Sequence, residues 1–410
     1  MKYYGSPRWS GEMLDCAFPM TFDTYSTCSY KCLYCFSFFQ RSIGWARDDY
    51  LANKVNYVSV DYVKGLWEKP ESNQFGRFIK EGRALQWGGL SDPFDENERE
   101  LGISLELLKF WREINYPLSI STKATWWTED DRYMSLLDGA DNVQVKISVI
   151  NYDERLSQKI EGLVSSPKER IAAMGRLSKL GLANVTLRFR PFIIGMSDLT
   201  AKELVDASAD AGADGVTTEF LCLEGRSTNK FERRNRIMSK ALGYDIFEFY
   251  KKNSQTKSGY FGLNREIKEP YFKRVRELAK SRGMGFWVSD AHWKELSDHG
   301  NCCGYTDKEK WCHGTFTEAI LRAKKNGTVR FSEIAEDADF WSEIEFNKAM
   351  GFNTGSAEIR AKFHGFTMLD YMRYNWNKVN NGHSPYKYFG GALHPIGTDE
   401  EGDIIYEYRV

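Results

Sequence analysis

The sequence contains no uninterrupted apolar run of about 18 residues, the length that a membrane-spanning helix needs. We therefore expect no membrane span. The N-terminal residues MKYYGSPR also lack the apolar core of a secretory signal peptide. Eight cysteines without such a signal are typical of a reducing compartment, where thiols serve metal binding or redox chemistry more often than disulfides. We expect a cytoplasmic protein.

Positive and negative side chains are nearly balanced in number. The chain has 56 Lys and Arg against 57 Asp and Glu, a net charge of −1. This balance excludes a broadly cationic surface for non-specific nucleic-acid binding, although a local basic patch remains compatible with it. Histidine is scarce as well, and the first of the six histidines is His292.

Three cysteines nevertheless stand close together near the N-terminus. Cys28, Cys32 and Cys35 form a C-x3-C-x2-C pattern within residues 28–36, called the cysteine loop below. Three thiols at this spacing can converge on one metal cluster. A structural zinc site uses four protein ligands, and an ordinary [4Fe–4S] site uses four cysteines. Because no fourth Cys or His is near, one iron of a [4Fe–4S] cluster held here would stay open to another molecule.

Apolar segments alternate with helical patterns along most of the chain. One helical pattern carries Leu101, Leu105 and Leu108 on one face, and Thr200-x-x-Glu203 has the form of a capping box. Six or seven β–α units in succession indicate a parallel α/β barrel, open or closed. The segments predicted as strands are 17–22, 84–89, 118–122, 143–149, 185–189, 216–221 and 284–289.

Polar side chains occupy alternate positions in three of these strands. The positions are Ser121, Lys123, Gln144, Lys146, Ser148, Thr186, Arg188 and Arg190. Since the helix-facing side of a barrel strand is apolar, these side chains should point into the lumen, which an ordinary barrel fills with branched aliphatic residues. We therefore expect the lumen to hold a polar, charged molecule.

The cysteine loop, with Tyr34 just before Cys35, resembles the C-x3-C-x-aromatic-C signature of the radical SAM superfamily. The resemblance implies an α/β fold, a partial (β/α)6 radical SAM barrel with a C-terminal extension. It implies a [4Fe–4S] cluster on Cys28, Cys32 and Cys35, with S-adenosylmethionine (SAM) at the open iron. An electron donor such as flavodoxin or ferredoxin would allow reductive cleavage of SAM. The resulting 5′-deoxyadenosyl radical would abstract hydrogen from a substrate.

The resemblance also assigns residues to the cofactor. Gly88 and Gly89 resemble the glycine motif that approaches the methionine amino group, although its usual acidic third residue is Leu90 here. Tyr34 and Phe36 are expected to flank the adenine, or else to pack against the loop. The remaining polar contacts are expected from Ser121, Lys123, Ser148 and Arg188, for which a lumen salt-bridge network is the alternative.

A narrower resemblance is to the spore photoproduct lyase branch, over roughly residues 17–300. The matching stretches are Gly88-Gly-Leu-Ser-Asp92-Pro-Phe, Ser121-Thr-Lys123 and Arg190-Pro191-x-x-x-Gly195. In that branch a hydrogen-donating cysteine stands two positions before the Ser-Asp pair, where this chain has Gly89. We therefore expect the fold and cofactor of the branch without its usual thymine-dimer repair.

A second cysteine group follows the last predicted strand. Cys302, Cys303 and Cys312 could form an auxiliary iron–sulfur or other metal site, with His292, His299 or His313 nearby in sequence. Alternatively, Cys302 and Cys303 could donate hydrogen to a substrate radical, or the three cysteines could be inert and buried.

We predict a lead-in over 1–16, a barrel over 17–313 with an insertion at 225–268, and a C-terminal extension over 314–410 that covers the substrate. The insertion is basic, and it either holds phosphates or presents a solvated helix face. Its cations are Arg226, Lys230, Arg233, Arg234, Arg236 and Lys240. The expected substrate is a nucleotide or nucleic acid, with a peptide or small metabolite as the alternative. A non-catalytic metal or iron–sulfur protein is the rival from another class.

Overall fold

The computed structural model describes residues 2–3, 7–10, 14–16, 18, 20–38, 47–225, 229–254, 259–305, 314–354 and 357–409. The chain divides into two compact units. The first unit comprises Met1–Ser6, Phe22–Glu68 and Ala84–Phe286. The second unit comprises Pro7–Thr21, Lys69–Arg83 and Trp287–Val410.

The main sheet has eight strands. Seven of them are numbered here in chain order: β1 Met20–Phe22, β2 Leu85–Trp87, β3 Leu118–Thr122, β4 Val143–Ser148, β5 Asn184–Phe192, β6 Gly215–Phe220 and β7 Gly285–Val288. They lie in the order β7-β6-β5-β4-β3-β2-β1, followed by Arg8–Trp9, which is antiparallel to β1. From β2 to β6 each strand pairs in parallel with the next. The predicted succession of β–α units is confirmed.

The register separates an apolar row from a polar row. Trp87, Ile120, Val145 and Val185 are direct neighbours across β2 to β5, and all four are buried. The residues one position along each strand form a second row on the opposite face, because side chains alternate along a strand. This second row contains Gln86, Ser119, Gln144 and Asn184.

Helices connect the strands of the first unit. They are Arg47–Leu51, Val60–Glu68, Glu96–Leu101, Ile103–Glu113, Asp131–Leu137, Glu154–Glu161, Pro167–Leu177, Ala201–Asp210, Asn229–Leu242, Ile246–Lys252, Arg265–Ser281 and the 3₁₀ turn Trp126–Glu129. Two strand pairs are peripheral: Lys2–Tyr3 with Tyr57–Val58, and Leu223–Glu224 with Tyr260–Phe261. We call Asn229–Leu242 the insertion helix.

The second unit combines short helices with a small sheet. The sheet contains Thr328–Val329, Ile404–Tyr408 and Leu393–Thr398 in that order, all antiparallel. The helices and 3₁₀ turns are Pro70–Ser72, Gly76–Lys80, Ala291–Leu296, Phe316–Asn326, Ser332–Ala335, Asp339–Glu343, Phe346–Thr354, Ala357–Lys362, Met368–Trp376 and Pro385–Tyr388. Within the described ranges of both units, no helix has the length and apolar character that crossing a membrane requires.

Two local predictions are wrong. Leu101 does not share a helix with Leu105, because Gly102 adopts φ +64° and ends the first helix at Leu101. Thr200 precedes the helix Ala201–Asp210 but forms no capping box. Its hydroxyl instead donates to Asn151 Oδ1 at 2.6 Å and accepts from the backbone of Tyr152 at 2.9 Å. The Thr200 hydroxyl therefore bonds residues distant in sequence instead of capping its own helix.

Candidate functional site

The cysteine loop follows β1 and is anchored by its backbone. Inside the loop, the Cys35 N–H donates to the Cys32 carbonyl at 3.1 Å. The Leu33 N–H donates to the Ile160 carbonyl at 3.0 Å, and the Ser29 N–H donates to Asp95 Oδ2 at 2.6 Å. Backbone bonds to two separate helix regions therefore fix the course of the loop while leaving the cysteine side chains available.

The three thiols lie close enough to affect one another's ionisation. Burial raises the pKa of Cys32 to about 12, and the Cys35 thiol contributes to that rise. Burial also raises the pKa of Cys28, with contributions from Asp95, Asp92 and Cys32. The charge of Lys123 acts in the opposite direction and lowers the pKa of Cys32. Without a bound cation, Cys28 and Cys32 are therefore held in the protonated form.

The donor set fits an iron–sulfur cluster in its chemistry. Thiolates are the ligands that iron–sulfur clusters use, and Cys28, Cys32 and Cys35 form no disulfides. Over the described part of the chain, no three His, Cys, Asp or Glu side chains are already arranged around a metal position. Binding therefore requires the three thiols to move towards a common position.

Tyr34 is held by a buried ion pair that sequence reasoning missed. Its hydroxyl donates to Glu161, which pairs with Arg170. Arg170 also donates to the Ser148 carbonyl at 2.7 Å, so the aromatic residue of the loop is connected to the end of β4. Lys123 Nζ lies 5.7 Å from the centre of the Tyr34 ring. Phe36, by contrast, is 44% exposed.

Gly88 and Gly89 follow β2, and Gly88 is required by its surroundings. Gly88 has φ +88°, and a Cβ there would lie 2.3 Å from the Ser121 carbonyl oxygen. The next two backbone N–H groups, of Leu90 and Ser91, donate to Asp23 Oδ1 at 2.7 and 2.9 Å. Asp23 comes directly after β1. The motif lacks its usual acidic residue at Leu90, but Asp23 places a carboxylate at the same turn. That carboxylate accepts hydrogen bonds from the backbone of the turn.

The predicted polar face forms hydrogen-bonded rows across the strands. Lys146 Nζ donates to Gln86 Oε1 at 2.5 Å, and Gln86 Nε2 donates to Ser121 Oγ at 3.1 Å. At the end of β4, Ser148 Oγ accepts from Arg188 of β5 at 3.3 Å. A second row joins Ser119, Gln144 and Thr186. Ser121, Ser148 and Arg188 therefore lie on one polar face of the sheet, with Ser121 bonded to Gln86 and Ser148 bonded to Arg188.

Three carboxylates near the loop also escaped sequence reasoning. Asp92 accepts from Thr122 Oγ1 and the Lys123 N–H, each at 2.6 Å. Burial raises the pKa of Asp95 to about 7, with Asp92 adding to the rise. Glu98 accepts from the hydroxyls of Tyr25 and Tyr133, and burial raises its pKa too. The motif Ser91-Asp92-Pro-Phe was the available signal for Asp92.

The second cysteine group belongs to the second unit, whereas the cysteine loop belongs to the first. Cys302 and Cys303 are half-buried and form no disulfide with a described cysteine. Cys302 contributes to the raised pKa of Cys16, whose main cause is burial. The His299 ring bonds Trp287 Nε1 at 2.7 Å and Asn301 Nδ2 at 3.0 Å. Cys312 and His313 lie outside the described residues.

The cations of the insertion differ in their surroundings. Arg233, Arg236 and Lys240 are exposed on the insertion helix, as expected for a solvated face. Arg234 instead donates to the Cys32 carbonyl at 2.9 Å. Arg226 lies outside the described residues, as does the side chain of Lys230.

The fold is shared with solved radical SAM enzymes, as the cysteine loop predicted. A spore photoproduct lyase with a tyrosine-to-phenylalanine substitution superposes with a TM-score of 0.50 at 14% identity, covering 70% of this chain and 80% of that chain. A double mutant of the lyase with bound AdoMet and dinucleoside spore photoproduct gives 0.48 at 15% identity, covering 67% and 77%. TsrM from Kitasatospora setae, a radical S-adenosylmethionine methyltransferase with tryptophan and a SAM analogue bound, gives 0.44 at 12% identity, covering 74% and 61%.

The sequence matches no protein-family model and no curated protein. At identities this low, a structural match establishes the fold and not the chemistry. The chain has the α/β partial-barrel fold of radical SAM enzymes, and its activity has to be argued from the side chains.

Proposed function

We propose that this protein is a radical SAM enzyme. The observation that carries the proposal is the cysteine loop: three thiols in the loop that follows the first strand of the barrel, with no other Cys or His between positions 17 and 221 of the sequence. A [4Fe–4S] cluster bound there would supply the electron that cleaves SAM to methionine and a 5′-deoxyadenosyl radical. Hydrogen abstraction from a substrate would follow.

The chain's own residues would hold and orient these groups. Cys28, Cys32 and Cys35 would be the cluster ligands. The turn at Gly88, braced by Asp23, offers backbone without a side chain in the way, which suits close approach by a ligand. Lys123, whose Nζ lies 5.7 Å from the centre of the Tyr34 ring, would bind a carboxylate.

The polar rows of the lumen support a charged ligand. Lys146 is 2% exposed and donates to Gln86 Oε1, so this face places a buried cation among neutral polar groups. Ser121, Ser148 and Arg188 belong to connected parts of the same face and would contact the polar groups of SAM. Tyr34, fixed by its hydroxyl, would present its ring to the adenine, and Phe36 would offer an exposed ring beside it.

For the substrate, a nucleotide or nucleic acid is the leading candidate, because of the lyase-like motifs and the exposed cations of the insertion helix. A peptide or small metabolite is the alternative. Cys302 and Cys303 are proposed either as hydrogen donors or, with Cys312, as a second metal site. The electron donor would be a small low-potential protein such as flavodoxin or ferredoxin.

Electron paramagnetic resonance of the reduced, reconstituted protein tests the proposal against a non-catalytic iron–sulfur protein. An open iron that binds SAM predicts a changed cluster signal when SAM is added. A signal that SAM leaves unaltered would favour a closed cluster and contradict the proposal.

Substrate class is tested by the rate of 5′-deoxyadenosine formation. Single-stranded and duplex oligonucleotides are compared with short peptides of mixed sequence at equal concentration. A higher rate with oligonucleotides alone supports the leading candidate. A higher rate with peptides alone overturns it in favour of the alternative.

A further inference from the structure

Arg234 occupies a position that separates it from the other cations of the insertion helix. Its Nη2 donates to the carbonyl of Cys32, the central cysteine of the loop, at 2.9 Å. The guanidinium also lies 4.2 Å from the centre of the Phe38 ring, and Phe38 in turn packs edge-on against Phe231 at 5.2 Å. One side chain thus ties the insertion helix to both ends of the segment from Cys32 to Phe38.

The other end of the Arg234 guanidinium lacks a hydrogen-bond acceptor among the described residues. Nη1 is buried and has no hydrogen-bond partner among the described residues. The charges that act on Arg234 from the surrounding structure are those of Cys35, Tyr50 and Cys32. A buried cation needs an anionic partner, and a cluster bound to the cysteine loop would place negative charge beside Arg234.

A fixed cation beside two cluster ligands has a definite consequence. Reduction adds one negative charge to a cluster, and a neighbouring positive charge stabilises the reduced form more than the oxidised form. Charge, hydrogen bonding and solvent exposure around the sulfurs are the terms that set cluster potentials. Arg234 supplies the charge and, by packing on Phe38, contributes to the exclusion of solvent, while its hydrogen bond holds the Cys32 carbonyl.

We propose that Arg234 is a positioning residue for the cluster: it clamps the cysteine loop through the Cys32 carbonyl, and its charge makes the bound cluster easier to reduce. This inference rests on the proposed function. It assigns the insertion a role in the redox step, in addition to any contact with substrate.

The test uses the full chain, reconstituted anaerobically, with Arg234→Gln, Arg234→Met and Arg234→Lys. Arg236→Met, an exposed position on the same helix, is the matched control. The cluster is titrated with dithionite in the presence of redox mediators, so that each reduced cluster gains one electron, its charge falls from 2+ to 1+, and the potential is known at each step. The reduced fraction is followed by electron paramagnetic resonance. The rate at which a chelator removes iron is measured in parallel.

We expect the Gln and Met variants to show at least a tenfold lower ratio of reduced to oxidised cluster at a fixed potential, which is about 59 mV for a one-electron couple. Arg234→Lys and Arg236→Met should remain within a factor of three of the parent. Arg234→Met should release iron faster than Arg234→Gln, because Gln keeps a hydrogen-bond donor. If the Gln and Met variants lose iron while the parent, Arg234→Lys and Arg236→Met retain it, the clamp on the cysteine loop is supported as well.

Parent-like potentials in both the Gln and Met variants would overturn the electrostatic role. Equal iron release in the parent, Gln and Met proteins would overturn the clamp. A parent protein that holds no [4Fe–4S] cluster would instead overturn the proposed function itself, so the two failures are distinguishable.

Discussion

Arg170 and Glu161 form an ion pair that water does not reach: Nη2 lies 2.5 Å from Oε2, and the side chains are 0% and 2% exposed. The hydroxyl of Tyr34 donates to the same carboxylate. The aromatic residue of the cysteine loop is therefore positioned by an ion pair between the two helices that follow β4, Glu154–Glu161 and Pro167–Leu177.

Removing the Glu161 charge should destabilise the fold. Glu161→Gln leaves the buried Arg170 cation uncompensated, and loss of one partner of a buried pair costs about 3–5 kcal/mol in the free energy of unfolding. Denaturant unfolding of the apoprotein measures this. Lys202→Met, which breaks an exposed pair with Asp206, is the control and should cost less than about 1 kcal/mol. A loss in Glu161→Gln no larger than in the control would contradict the account.

A double variant separates charge from packing at this site. Glu161→Leu combined with Arg170→Met removes both charges together, so it should be less destabilised than Glu161→Leu alone.

Substitution of one loop cysteine should abolish both the cluster and its chemistry. Cys32→Ala leaves two thiols, too few to retain a cluster, so iron content and 5′-deoxyadenosine formation should both fall to background. Cys222→Ala removes an exposed thiol outside the loop and should leave both unchanged. Turnover retained in Cys32→Ala would refute the assignment of Cys28, Cys32 and Cys35 as ligands.

Gly88→Ala should be more harmful than Gly82→Ala. Both glycines have positive φ, +88° and +64°, which costs a residue with a side chain about 1–2 kcal/mol. Only at Gly88 would the new Cβ meet backbone, the Ser121 carbonyl oxygen at 2.3 Å, whereas nothing lies within 4 Å at Gly82. Thermal unfolding measures the stability of both variants. Equal losses of stability would contradict the prediction and would mean that the backbone of β3 at Ser121 moves aside at little cost.

The stability of the apoprotein should fall as the pH rises through the range set by Asp95. The pKa of Asp95 is raised by burial from its ordinary value of 3.8 to about 7 in the folded protein. Between these values the folded state binds more protons than the unfolded state, so the free energy of unfolding decreases with increasing pH. The stabilisation is complete below about pH 4 and lost above about pH 7.

Asp95→Asn should remove that part of the pH dependence. Unfolding free energies measured from pH 4 to pH 8 should show a shallower decline in the variant than in the parent. Asp92 and Glu98 shift in the same direction, so a residual decline is expected. Parallel curves would contradict the raised pKa of Asp95.

The sequence predicted the elements with strong periodicity. The strands β1 to β7 each lie within three residues of their predicted bounds, because apolar runs between turn residues leave few alternatives. The eighth strand of the main sheet, Arg8–Trp9, was not predicted. Local signals that compete with tertiary contacts were less reliable. Thr200 was available for a helix cap, but Asn151 bonds its hydroxyl in the folded chain.

Much of the candidate site could not be predicted from the sequence. The cysteine loop and Gly88 stand in local motifs, so they are visible in the chain. Asp23 reaches the turn after β2 from the preceding strand, and Arg234 reaches the loop from far along the chain. Such pairings depend on the three-dimensional path of the backbone, and no spacing rule encodes them.

The central claim is that this chain generates a 5′-deoxyadenosyl radical from SAM at a cluster on Cys28, Cys32 and Cys35. The most direct measurement is an anaerobic one on the reconstituted protein: iron and sulfide are counted per chain, and 5′-deoxyadenosine is assayed after SAM and dithionite are added. We predict about four irons per chain and formation of 5′-deoxyadenosine, or about eight irons if Cys302, Cys303 and Cys312 hold a second cluster. Zinc in place of iron, or a fully loaded cluster that yields no 5′-deoxyadenosine, would contradict the account.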